Sequence, residues 1–259
     1  MRAVVGFVVL DLYLNLVIKA AGLSTFVWVG CALLFFVLAH FVSRLTGLQG
    51  LPALGYRLHL RWSRRLGAGF LTGFIAWGIL YAAEGLLGKF TFAGWMSPAH
   101  NAMLMLEAGV GLFLGSTITD AIVTGYVFAH LRGRIPDGLV LLAANLMYVL
   151  DDSWHEGFGL HNLIFSVLLG LSLGYAFLKT NSIWMTSGIH WGLNFMYALV
   201  YGIPGREAAG GLFIKEAGKN GFIFEVLPLV VPTIMFAAVC LLLKQSSRRR
   251  IEELSEPVV

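Results

Sequence analysis

The chain has 259 residues, of which 58% are hydrophobic and only 12% are charged, and its formal net charge is +4. Soluble domains average about 25% charged residues, so this composition indicates a membrane protein. It excludes a disordered chain, a nucleic-acid-binding module and a secreted disulfide scaffold, because each of those needs more charge, polarity or cysteine.

Apolar runs follow one another along the chain, and most are long enough to cross a bilayer as a helix. None shows the alternation of apolar and polar residues that is typical of a β-strand. The sequence therefore predicts an all-α, polytopic membrane helical bundle with about eight transmembrane helices. We expect this bundle over residues 1–244 and a short cytoplasmic tail over 245–259. The predicted spans are 3–18, 25–42, 66–87, 103–131, 139–150, 160–178, 183–201 and 222–243.

The distribution of positive charge predicts how the bundle is oriented. Eight spans place both termini on one side, and with that side inside, the inner segments carry thirteen Lys and Arg residues and the outer segments five, out of 18. The positive-inside rule then predicts cytoplasmic termini. The expected location is the plasma (inner) membrane of a prokaryote.

Four polar residues at or near membrane depth are the candidate catalytic residues. Ionisable groups in the hydrocarbon region are costly unless they are paired or face water. Asp120 lies deep in the fourth predicted span, and Asp152 closes the fifth. His190 and Asn194 lie four residues apart in the seventh span, so they share one helical face and can address one carbonyl oxygen. The alternative role for this pair is hydrogen bonding between helices.

The region around these residues resembles the CPBP superfamily (CAAX prenyl protease, bacteriocin-processing, Abi) of intramembrane endopeptidases. The similarity covers about 111–197 and is clearest from Asn162 to Asn194, with a Gly-rich helix, a Thr-Asn-Ser-Ile-Trp turn and the His190, Asn194 motif. The resemblance implies an eight-helix bundle around a water-filled cavity, with its core at about 103–203. It also implies that His190 and Asn194 stabilise the developing oxyanion.

Two other motifs of this family are altered. Where the family has EExxxRG, the chain has Thr119 for the leading glutamate, Asp120 for the second acid and Thr124 for the arginine. Where the family has FxxxH, Asp152 stands at the histidine position, and His155 is the nearest possible substitute. If Asp120 and Asp152 approach each other, they could share a proton and activate water as an aspartic dyad does.

The sequence leaves three functions open. The chain could be an active endopeptidase that cleaves membrane-proximal peptides or proteins. It could be a pseudoprotease that acts as a membrane adaptor, chaperone or immunity factor, or it could be a small transporter or channel. The expected partners are membrane lipid and a membrane-proximal peptide or protein, not nucleic acid.

Cofactor use is equally open. A divalent metal would have to bind through His190 and Asp120, with Asp152 or His155, and this mixed set predicts no definite geometry. The arrangement of Asp120, Asp152 and His190 decides between the functions, because catalysis requires that they surround one hydrated cavity.

Overall fold

The bundle consists of long helices joined by short connections. The computed structural model describes residues 1–18, 20 and 25–255, with only the backbone of 25, 154–156 and 245–255. The helices are α1 Arg2–Leu12, α2 Thr25–Leu45, α3 Trp62–Leu86, α4 Pro98–Leu106, α5 Leu112–Asp120, α6 Val127–Leu131, α7 Asp137–Glu156, α8 Leu160–Thr180, α9 Ile183–Tyr201 and α10 Ile223–Ser255. Three π-helical segments extend or join them: Tyr13–Ile18 continues α1, and Glu107–Gly111 and Ala121–Tyr126 join α4, α5 and α6 into one rod.

The predicted fold class is confirmed as an all-α membrane bundle. Many large apolar side chains point outward, and Leu71, Ile79 and Leu241 are 55%, 60% and 60% exposed. Lipid tails are as apolar as these side chains and accept them without cost. Within the described residues, five helical stretches are long and apolar enough to cross a membrane, so eight spans stay a prediction. These stretches are Phe26–Leu45, Trp62–Leu86, Pro98–Leu131, Leu160–Thr180 and Ile223–Lys244.

A seam of four glycines brings α3 and α9 into backbone contact. A Cβ atom at Gly69 or Gly73 of α3 would collide with the carbonyl oxygens of α9, and one at Gly188 or Gly192 would collide with those of α3. Small residues at spacing of four allow membrane helices to approach this closely. Because His190 lies between the two glycines of α9, the seam fixes the height and rotation of His190 in the bundle.

A small sheet covers one end of α3 and α9, where the sequence predicted no strands. Strands β1 Phe90–Trp95 and β2 Phe213–Ala217 pair antiparallel, with a bulge between Phe92 and Gly94. The prediction was wrong here because each strand is only five or six residues long, too short for a clear alternation. Beneath the sheet, the buried carboxylate of Glu84 accepts hydrogen bonds from Lys89 Nζ at 2.6 Å and Tyr201 Oη at 2.9 Å.

Lys215 of β2 should react with an amine-directed reagent in a pH range centred near 8. Burial lowers the pKa of its ammonium group to about 8, while Glu84 opposes and Lys89 assists that shift. Because the neutral amine is the nucleophile, labelling should increase as the pH rises through about 8 and level off above it. Glu84→Gln should move the midpoint to lower pH, since it removes the charge that stabilises the ammonium.

Mass spectrometry of peptides labelled over a series of pH values measures this midpoint. The remaining lysines in the same digest are the internal control. An unchanged midpoint in Glu84→Gln would contradict the electrostatic coupling.

Candidate functional site

An aspartate–histidine pair lies at the contact between α5 and α9. Asp120 is the last residue of α5, and its Oδ1 atom lies 3.0 Å from Nδ1 of His190. Asp120 is fully buried, and His190 is 9% exposed. A carboxylate in this environment is stabilised by a partner that donates a hydrogen bond, and His190 is that partner.

The contact fixes which nitrogen of His190 can take up a proton. When Asp120 is ionised it only accepts hydrogen bonds, so the proton in this contact belongs to Nδ1, and Nε2 of a neutral ring keeps its lone pair. The second carboxylate oxygen of Asp120, Oδ2, is buried and has no hydrogen-bond partner among the described residues. One carboxylate oxygen of Asp120 is therefore engaged, and the other is left for a water molecule or a ligand.

Hydroxyl and amide groups extend the polar contact along the same two helices. Asn194 Nδ2 donates to Ser116 Oγ at 3.3 Å, and Ser187 Oγ donates to Thr117 Oγ1 at 3.2 Å. His190 and Asn194 thus both bond to α5, as the alternative of hydrogen bonding between helices requires. The same contacts are compatible with a catalytic role, because both side chains belong to one group of polar residues that includes Asp120.

Asp152 lies on α7 and has a different partner. Ser166 of α8 donates a short hydrogen bond to its Oδ2 atom. Asp152 is still close enough to His190 for an electrostatic interaction. In the described part of the chain the bonds of Asp120 and Asp152 go to His190 and Ser166, so the shared-proton dyad stays a hypothesis without a contact to support it. The side chain of His155 lies outside the described residues.

Tyr148 is a further neighbour of the Asp120–His190 pair, and it was not among the candidate catalytic residues predicted from the sequence. Its ring packs edge-on against that of His190, with the centroids 6.0 Å apart, and Tyr148 is only 4% exposed. Its hydroxyl lies within electrostatic range of Asp152 and Asp120. A signal existed in the sequence: Tyr148 precedes Asp152 by four residues, so the two share a face of α7.

The altered first motif coincides with a change of helix type. α5 ends at Asp120, and Ala121–Tyr126 continues as a π-helical segment that includes the buried Thr124. Single π turns inside α-helices occur often at functional sites. Thr119, at the position of the family's leading glutamate, is half-buried next to Asp120 and has a hydroxyl that cannot act as a base near neutral pH.

The donor set for a metal ion is limited. In the described part of the chain, no group of three or more His, Cys, Asp or Glu side chains has an arrangement that could hold a metal ion. Asp120 and His190 are in contact, but Asp152 is bonded to Ser166. Among the described side chains, these residues therefore do not fit a metal centre.

Part of the chain matches a known protein family. Residues 100–196, a little over a third of the chain, match the family described as type II CAAX prenyl endopeptidase Rce1-like. The match includes Asp120, Asp152, His190 and Asn194. No curated protein and no solved structure matched the chain.

Proposed function

We propose that this chain, whose residues 100–196 match a family of the CPBP superfamily of CAAX-type intramembrane proteases, is an endopeptidase that cleaves membrane-proximal peptides or proteins. The observation that carries the proposal is the 3.0 Å contact between Asp120 Oδ1 and His190 Nδ1. An imidazole held in this way by a carboxylate is a general base at Nε2.

The pair can replace the base that the first motif has lost. His190 Nε2 takes a proton from a water molecule whose oxygen attacks the carbonyl carbon of the scissile bond. The imidazolium that forms is stabilised by Asp120, and it returns the proton to the leaving amine as the C–N bond breaks. The resemblance implied an oxyanion role for His190, whereas this geometry favours the role of base.

Asn194 remains the candidate donor to the oxyanion. Its Nδ2 group lies one helical turn from His190 and bonds to Ser116 Oγ over 3.3 Å, a long and weak hydrogen bond. A substrate oxygen that develops negative charge would compete well with a neutral hydroxyl for this donor. We expect the amide to exchange Ser116 for the oxyanion during the reaction.

The test is hydrolysis by the purified protein in lipid nanodiscs. The substrates are peptides whose scissile bond adjoins an apolar segment, and mass spectrometry identifies the products. We expect the wild type to hydrolyse the peptides and His190→Gln to abolish this hydrolysis. His161→Gln is the matched control, because a ring nitrogen of His161 is also hydrogen-bonded, here Nε2 to the carbonyl oxygen of Glu225, but His161 lies away from the pair. Equal rates for the wild type and His190→Gln would contradict the proposal.

The burial of the pair favours a second candidate function. Asp120 is fully buried, and threonines stand where the family has its glutamate and arginine. A pseudoprotease would keep the peptide site for capture, as an adaptor, chaperone or immunity factor, without turnover. It predicts stable binding of the same peptides with no product, and binding that is insensitive to Asp120→Asn.

The orientation is proposed on charge alone. Thirteen of the 18 Lys and Arg residues fall on the side of the termini, which supports cytoplasmic termini in a prokaryotic plasma membrane. On this arrangement the connection between α2 and α3 also faces the cytoplasm.

A further inference from the structure

Residues 50–61 of the connection between α2 and α3 enter the bundle and are here called the strap. Its short 3-10 helix Leu51–Leu54 ends in a fully buried leucine, and the carbonyl oxygen of Leu54 packs against Gly125 of the π segment. Gly55 follows in the left-handed region at φ 95°, where glycine is favoured, and its carbonyl accepts from Ile183 N at 3.3 Å. The strap thus contacts both the rod that carries Asp120 and the start of α9.

Tyr56 is the strap side chain that bonds to the rod. Its hydroxyl donates to the carbonyl oxygen of Thr117 at 2.7 Å and lies 3.0 Å from Thr117 Oγ1. Burial raises the pKa of Tyr56, and the nearby Asp120 adds to this, so the group remains a neutral donor. Thr117 also accepts from Ser187 Oγ at 3.2 Å, so Tyr56 ends at the junction of α5 and α9.

These contacts lie on both sides of the Asp120–His190 pair. On the rod the strap contacts Thr117, three residues before Asp120, and Gly125, five residues after it. On α9 it contacts Ile183, and it reaches Ser187, three residues before His190, through Thr117. The strap therefore runs alongside the pair on the face of the bundle where α9 begins.

Other contacts of the strap involve its rings: Tyr56 packs edge-on against Phe36, and His59 Nε2 lies 3.0 Å from Arg65 Nη1. Trp184 Nε1 donates to the carbonyl oxygen of Arg57 at 2.9 Å, and the Trp184 ring packs against Tyr56. The following leucines leave the bundle, with Leu58 75% and Leu60 103% exposed. A segment whose inner end is fixed by neutral hydrogen bonds, and whose outer leucines are exposed, can withdraw without unfolding a helix.

We propose that the strap is a gate over the Asp120–His190 pair on the face of the bundle where α9 begins. Tyr56 must leave Thr117 before water or a peptide reaches the pair from this face. The inference concerns the regulation of the site to which the proposed function assigns hydrolysis. It gives the burial of Asp120 a reason, since the closed form keeps water away until a substrate displaces the strap.

Cysteine accessibility tests the gate without any need for hydrolysis. In a Cys31→Ser, Cys240→Ser background, Ser187→Cys places a single thiol behind Tyr56, at a position that is fully buried. The protein in nanodiscs is treated with a charged methanethiosulfonate reagent. We expect slow labelling with Tyr56 present and labelling at least about tenfold faster in Tyr56→Ala, with Tyr56→Phe intermediate because it loses only the hydroxyl.

Two controls separate opening from loss of structure. Tyr13→Phe removes a comparable hydrogen bond, from its hydroxyl to the carbonyl oxygen of Cys31 at 2.9 Å, and should leave labelling slow. A thiol at Ser172, which is fully buried in α8, should stay protected in every Tyr56 variant. Equal protection of Ser187→Cys in all variants overturns the gate, and so does simultaneous exposure of Ser172→Cys.

The outcome is distinguishable from the fate of the proposed function. If the protein cleaves no peptide but is labelled as described, the gate is supported and the proposed endopeptidase activity is contradicted. If hydrolysis is found, Tyr56→Phe should raise kcat/KM several-fold with the pH dependence unchanged, because the base itself is untouched. Hydrolysis with unaltered labelling and unaltered kcat/KM refutes the gate alone.

Discussion

Asp120→Asn is expected to reduce peptide hydrolysis by about 10²–10⁴-fold, with the fold intact. The amide that replaces the carboxylate can present an N–H group to Nδ1 of His190, which turns Nδ1 into an acceptor and moves the ring proton to Nε2. The lone pair that should take a proton from water is then lost. The measurement is the single-turnover rate of product formation in nanodiscs.

A second buried acid provides the control for this substitution. Glu84 is 1% exposed and is bonded to Lys89 and Tyr201, away from the pair. Glu84→Gln makes the same chemical change and should leave the rate within a few-fold of the wild type, even where it lowers thermal stability. Turnover by Asp120→Asn at the wild-type rate would show that the Asp120–His190 contact is structural.

The sequence could identify the pair's members but not their contact. The cost of ionisable groups in lipid marks Asp120 and His190 individually, and spacing places Asn194 on the face of His190. Their partners depend on how α5 and α9 are rotated against each other, which no local pattern contains. The contribution of Tyr56 was invisible for the same reason, because it comes from a connection 61 residues before Thr117.

Small-residue spacing in the sequence predicts close helix packing at three glycine pairs: Gly69 and Gly73, Gly111 and Gly115, and Gly170 and Gly174. Gly69 and Gly73 do pack against α9, and Gly170 and Gly174 pack against α7. The expectation was wrong for Gly111 and Gly115, because a Cβ at either position would have no described atom within 4 Å. The spacing alone does not say which face meets a helix and which meets lipid, and it did not mark Gly188 and Gly192, which pack against α3.

Gly73→Ala should destabilise the bundle by about 1–3 kcal/mol, because the added methyl group must displace backbone rather than a flexible side chain. Its Cβ would collide with the carbonyl oxygen of Ile189 and approach Leu193 N to 2.8 Å. α9 would have to move away from α3, and it carries His190 with it. The variant should therefore lose hydrolysis as well as stability, although Gly73 touches no part of the pair.

Gly115→Ala provides the matched comparison. Gly115 is also a helical glycine in a membrane segment, but a Cβ there meets no atom of the described residues within 4 Å. Alanine is favoured over glycine inside a helix by about 1 kcal/mol, so this variant should be neutral or slightly stabilised. Thermal unfolding in one detergent, followed by the rate of peptide hydrolysis, measures both effects. Equal unfolding temperatures for the two variants would mean that α3 and α9 are not in backbone contact, and that the seam does not set the position of His190.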